Sequence, residues 1–207
     1  MQNLIANDII LRVRSRLRDT NYLAKDGVRF SDEEIIDALN DTAHTIVKSL
    51  KINISQAAQI LSNAKQTLRL TQTPCAIIKA TYNGAPLPIK PHSQIIQAPQ
   101  SPLTLYPISP KEYALSPSKS DGIIEIWASF CPRVKSANDE IALDSSFAQL
   151  LTYGILERLF QIETNENNLQ RVKFYEAQYQ KELRNIKDLL NKTSEDNDSY
   201  KTQVRFY

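Results

Sequence analysis

The sequence predicts an α+β protein: a helical domain built from its N- and C-terminal segments, with a small antiparallel β-rich insertion between them. Three observations lead to this. All ten prolines fall between Pro74 and Pro132. Proline removes a backbone donor and breaks helices, so long helices belong to the flanks and strands and loops to the middle. Both flanks repeat apolar residues at spacings of three and four, the signature of a helix with one buried face. The middle alternates apolar and polar residues and carries Asn83-Gly84, a type I′ hairpin signal. The expected organisation is residues 1–64 as N-terminal helices, 65–134 as the proline-rich β insertion, 135–192 as a helical hairpin completing the helical domain, and 193–207 as a mobile tail.

Composition narrows the function classes. The 207 residues are 42% hydrophobic, enough to bury a real core. Twenty-five basic against 23 acidic residues leave a net charge of +2, without the clustered basic excess usual in a nucleic-acid module. No apolar run approaches the ~20 residues that cross a bilayer, so no membrane partner is expected. The first eight residues lack the basic and apolar regions of a secretory signal, which makes the cytosol the expected compartment. The two cysteines, Cys75 and Cys131, follow no metal-ligand spacing. They are expected as reduced thiols, since a disulfide would require two strands to bring them together.

Residues 7–19 read as a helix whose Ile9, Ile10, Val13 and Leu17 share a face. Arg12, Arg14, Arg16 and Arg18 crowd the remainder, as candidate subunit-contact or DNA-facing residues. They could form a phosphate-binding strip. The plainer reading lays their methylenes along the apolar stripe and leaves the charges in water or against carboxylates; the arginines point in several directions around a 3.6-residue period. A polar connection with a Lys25-Asp26-Gly27 turn follows.

The clearest helix signal runs over residues 30–50. Ser31 is followed three residues later by Glu34, a capping box. Asp32 and Glu33 add negative charge at the positive end of the helix dipole. Ile35, Ile36, Leu39, Ala43, Ile46, Val47 and Leu50 form the apolar stripe. Asp37, Asp41 and His44 stand at metal-compatible spacings on the polar side, but with no second histidine and no His-Glu motif they read as a solvated or subunit-facing surface. Beyond residue 51 the pattern weakens, and Ser55 could cap a short helix through Leu61.

In the middle, residues 66–70 and 75–82 read as strands, and the proline-marked return arm 85–90 fits only a sheet edge. Residues 91–107 read as an extended loop and Ser109-Pro110 as the start of one helical turn. The strongest strand is 122–131, with Ile124, Ile126 and Ala128 on one face. One sheet of roughly three to five strands is the sum.

After a loop over 132–143, Asp144 or Ser145 caps a helix that is apolar over much of its circumference, with Gly154 in its interior. Close approach of another element would account for that glycine, which costs about 1 kcal/mol against alanine. A second helix runs to about Lys192, with Tyr175 and Tyr179 within its apolar stripe, as core or interface residues. The remainder is polar until Tyr200, Val204, Arg205, Phe206 and Tyr207, an aromatic and basic terminus of the kind that anchors in another protein's groove.

No catalytic, cofactor-binding or metal motif is present in the sequence. The four glycines have no phosphate-loop spacing and the two histidines no nucleophile–base pattern, so an enzyme is not expected and no cofactor is assigned.

Two stretches carry a family resemblance. Arg14-Ser-Arg-Leu-Arg-Asp19, Gly27-Val-Arg-Phe-Ser-Asp-Glu-Glu-Ile-Ile36 and Leu39-Asn-Asp41 resemble the opening helix pair of tailed-phage head-to-tail adaptors. Residues 142–160, followed by the long Tyr-rich helix, resemble the closing pair of the same family. The order of helices, β-rich middle, helices and tail is similar to the podovirus adaptors of the tail tubular protein A kind. Phe30 stands where tryptophan is usual, and the middle carries only Cys131-Pro132 in place of a proline-rich strand end. The resemblance implies a structural virion protein assembled in the host cytoplasm: a ring, commonly of twelve copies, bound beneath the portal. DNA would pass through it without sequence-specific binding, and the tail or nozzle protein would assemble on it. Residues 200–207 would then anchor in the portal. The alternative is a non-enzymatic nucleic-acid-binding protein using the arginines of the first helix.

Overall fold

The capping box forms as its spacing requires. In the computed structural model the Ser31 N–H donates to Glu34 Oε2 (2.7 Å) and the Glu34 N–H donates to Ser31 Oγ (3.2 Å). These two bonds open α2 (Asp32–Leu50) by satisfying donors that have no partner inside the helix. The structure describes residues 3–17, 29–62, 67–94, 102–119, 121–162 and 166–201, the side chains of 3, 166–167 and 193–201 excepted. The chain divides into two units: Met1–Ala43 with Pro132–Tyr207, and His44–Cys131.

The first unit holds most of the helix. Strand β1 (Asn3–Ile5) leads directly into α1 (Ala6–Leu17). Ile9, Ile10 and Val13 of α1 are buried. Ile35 and Leu39 of α2 are fully buried as well, which is the stripe read from the sequence. The expected loop 132–143 contains a strand that the sequence reading lacks. This β9 (Glu140–Asp144) pairs antiparallel with β1, Leu4 opposite Ile141. Such a short pair has little periodicity of its own to read. Asp144 then accepts the Ser146 N–H (3.0 Å), capping a 3-10 turn that runs into α3 (Ala148–Ile162).

Helix α3 is buried along Leu150, Leu151, Ile155, Leu156 and Leu159, and α4 (Glu166–Lys201) packs along it. Tyr179 and Ile186 of α4 are buried, and Tyr175 stacks on Phe160 with centroids 5.6 Å apart and planes 3° off parallel. The α4 backbone continues past the expected end at Lys192. Residues 193–201 hold neither proline nor glycine, so nothing in them stops a helix.

The second unit is built from strands. One sheet has the order β2 (Ile54–Ile60), β8 (Ile123–Ser129), β4 (Ala76–Tyr82), β5 (Ala85–Pro86), all antiparallel. A second has the order β3 (Thr67–Arg69), β7 (Glu112–Ser116), β6 (Thr104–Ser109). Leu105 ties the two together, donating to the Pro88 carbonyl (2.8 Å) and accepting from the Lys90 N–H (2.9 Å). Between them lies a core of Leu68, Leu105, Tyr113, Leu115, Ile124, Ile126 and Ala128. Asn83 and Gly84 adopt φ of 48° and 79°, the left-handed pair that the type I′ turn needs. The arm bearing Pro86 lies at a sheet edge, where a missing donor is harmless.

Four readings of this region are corrected. The short helix from Ser55 is strand β2, because Ser55, Ala57 and Gln59 fall in register with Ala128, Ile126 and Ile124 of β8. The helical turn from Ser109 is the bend of the β6–β7 hairpin. Proline fits the second position of a turn as well as the first of a helix, and Leu105–Leu115 pairing decides between them. The extended loop 91–107 ends early, since β6 begins at Thr104. The described strands of this unit also form two sheets rather than one.

The β2 edge is open among the described residues. Bonded pairs sit at Asn53/Phe130 and Leu61/Gly122. Antiparallel alternation therefore turns the backbone groups of Ile54, Gln56, Ala58 and Ile60 away from β8. Of these only the Ile60 carbonyl finds a partner, the Gln59 side-chain amide at 2.8 Å. Ile54 and Ile60 are exposed, Ile60 at 69%.

Candidate functional site

Within the first unit, the surface around α3 concentrates the side chains suited to binding. Of the four arginines of the first helix, Arg14 is committed to its own unit. The residue is 5% exposed, and its guanidinium donates to the Phe30 carbonyl (3.2 Å) and pairs with Asp32. Arg12 and Arg16 line an open cleft with Gln149 and Thr152, and the Arg16 guanidinium lies 5.0 Å from the Tyr153 ring centroid. Arg18 lies outside the described residues. The Asp32 carboxylate is the kind of partner the plainer sequence reading allows for Arg14. Arg16 shows how an arginine on the remaining faces can rest on an aromatic ring instead.

Arg16 also belongs to a second cleft of about 570 Å³, with Leu17, Phe160, Gln170, Arg171, Phe174 and Tyr175. Arg171 and Arg29 both lie over Phe160, at 5.3 and 4.9 Å, and Arg29 donates to the buried Asn168 (3.1 Å). Phe174 is 55% exposed. Among the described residues no carboxylate lines this cleft. The sequence reading missed Arg29, Arg171 and Phe174. The available signal was Arg171 and Phe174 three residues apart on α4, which puts a cation and an aromatic on one face.

A third cleft, about 420 Å³, is lined by Glu34, Asp37, Ala38, Asp41, Arg158, Gln161 and Ile162. Asp37 accepts from Arg133 (2.8 Å) with both side chains exposed, and Arg158 donates to Thr42 (3.1 Å). Ile162 is 63% exposed. Asn40 clamps Val134: its amide donates to the Val134 carbonyl (2.9 Å) and its oxygen accepts the Val134 N–H (2.8 Å). Among the described residues no group of histidine, cysteine and carboxylate side chains is arranged to hold a metal.

In the second unit, Cys75 Sγ lies 3.4 Å from His44 Nδ1. The Cys75 N–H donates to the Ser129 carbonyl (2.8 Å), so β4 and β8 do bring the two cysteines near each other, and both are free thiols. Burial pushes the Cys75 thiol up, opposed by the Cys131 N–H and by Lys48. Burial, with the neighbouring Cys75, pushes Cys131 up to about 11. Both thiols are therefore protonated at neutral pH and poor nucleophiles.

Tyr200 falls within the α4 backbone, its side chain outside the described set; Val204, Arg205, Phe206 and Tyr207 also lie outside the described residues. Among the described residues no helix is long and apolar enough to cross a membrane.

What these surfaces offer is contact: guanidiniums over rings, carboxylates beside an exposed isoleucine, and clefts open to a neighbour. No curated protein sequence matches the chain significantly. The sequence model of the SU10 adaptor protein family matches residues 6–205, taking in both helical flanks and the strands between them. The chain belongs to the SU10 adaptor family, and so to the structural head-to-tail adaptors of phage particles.

Proposed function

We propose that the protein assembles as a ring, commonly of twelve copies, beneath the portal, joins the portal to the tail, and lines the path by which DNA leaves. The observation that carries this reading is the family match across residues 6–205, which spans nearly the whole chain. The helical surface supports it: Ile162 on α3 and Leu169, Phe174, Leu189 and Leu190 on α4 are exposed apolar side chains. Exposed apolar side chains of this size give a partner apolar surface to cover. A net charge of +2 suits a conduit as well, since a strongly basic channel would hold DNA through counterion release.

Residues 200–207 supply the portal anchor. Two tyrosines, a phenylalanine and an arginine in eight residues give the amphipathic, cationic contacts that dominate many interfaces. Deleting residues 200–207 will leave the thermal melt of the protein unchanged and abolish its association with purified portal rings, followed by sedimentation and particle imaging. Undiminished association would remove the tail from the mechanism while leaving the ring to be imaged directly.

A further inference from the structure

The two clefts beside α3 carry opposite charge and face different ways. Three carboxylates, Glu34, Asp37 and Asp41, line one, with Arg158 inside it and Arg133 reaching Asp37 from its margin. Arg16 and Arg171 line the other, with no carboxylate among the described residues of its walls. At 100° per residue, Phe160 in the basic cleft stands 160–200° around α3 from Arg158 and Ile162 in the acidic one. Each cleft also presents one large exposed apolar side chain, Phe174 beside Arg171 and Ile162 beside Asp41.

A surface that carries both halves of a complementary pair on different sides of one molecule makes head-to-tail contacts with copies of itself. From this we infer that the basic cleft of one copy receives the acidic cleft of the next. Arg16 and Arg171 face Asp37 and Asp41 across the contact, and Phe174 packs against Ile162 and Ala38. Opposite charges select the orientation and reject like-to-like pairing, which would place arginine against arginine. The covered phenylalanine and isoleucine supply the apolar centre that charge pairs at a wet rim do not. This assignment rests on the ring reading and specifies its subunit contact. It leaves residues 200–207 for the portal.

Two double variants test it. Arg16→Glu with Arg171→Glu makes both clefts acidic; Asp37→Lys with Asp41→Lys makes both basic and spares the Glu34 cap. Each alone is expected to lose ring formation on purified portal, with its circular dichroism unchanged. An equimolar mixture is expected to regain rings in which the two variants alternate, read by native mass spectrometry. Rings from either variant alone, or no rings from the mixture, would overturn the pairing of the clefts while wild-type rings leave the adaptor reading standing. Absence of wild-type rings on portal would sink both.

A second measurement does not depend on the charge variants. Phe174→Cys combined with Ile162→Cys, treated on the assembled ring with a bismaleimide, is expected to give a ladder of crosslinked copies. Either single variant, treated alike, should stay at the background set by Cys75 and Cys131. A double variant that crosslinks no better than the singles would overturn the contact.

Discussion

Gly154 shows at one residue what the sequence could and could not convey. Its cost inside a helix is a sequence-level fact, and it correctly signalled a close approach. The approaching atoms are Thr42 Cγ2 and Tyr179 Cε2, 2.5 and 3.0 Å from where a Cβ would stand. Neither was legible, because each lies on a different helix and only packing brings them in. Thr42 is fully buried and held by its bond to the Ala38 carbonyl (2.7 Å), so it has little room to yield. Gly154→Ala should therefore destabilise the protein by about 1–3 kcal/mol, the overpacking cost exceeding the gain in helix propensity; urea unfolding of the two proteins measures the difference. Arg14 teaches the same lesson. Spacing placed four arginines around a helix but could not say which would find Asp32 and the Phe30 carbonyl.

At the scale of elements, legibility follows the range of the interaction that defines the element. The capping box of α2 closes within four residues and the Asn83-Gly84 turn within two, and both form as read. Strand β2 is defined by β8, some seventy positions later, and its Ser-Gln-Ala-Ala-Gln composition leans to neither state strongly enough to reveal that. The cap is also the easiest element to weigh. Ser31→Ala removes the oxygen that accepts the Glu34 N–H and should lower stability by about 1 kcal/mol, whereas Ser31→Asn, a residue able to accept the same bond, should remain close to the parent. Thermal melts of the three proteins make the comparison. A Ser31→Ala melt indistinguishable from the parent would mean that the rest of α2 holds its first turn unaided.

Over the whole molecule, the proline distribution marked the change of character between helical flanks and β-rich middle, and the pattern of the flanks pointed to the adaptor family that the match over residues 6–205 establishes. The clefts were the least legible, since each gathers side chains from two or three stretches far apart in sequence. The charge of the entire chain makes its own prediction. With +2 overall and Arg14 turned inward, binding to duplex DNA should be weak and should change little between about 50 and 200 mM salt. A DNA-binding use of the first helix would instead give a steep negative slope. Fluorescence anisotropy with labelled duplex across that range distinguishes the two.

Among the described residues nothing pairs with the backbone groups of Ile54, Gln56 and Ala58, beside bare Ile60, and this has a consequence for the protein before assembly. They form a landing strip for any stray extended chain, and β2 has no proline or charge to repel one. A crowded pool of newly made copies is thus a pool of seeds for fibrous precipitate.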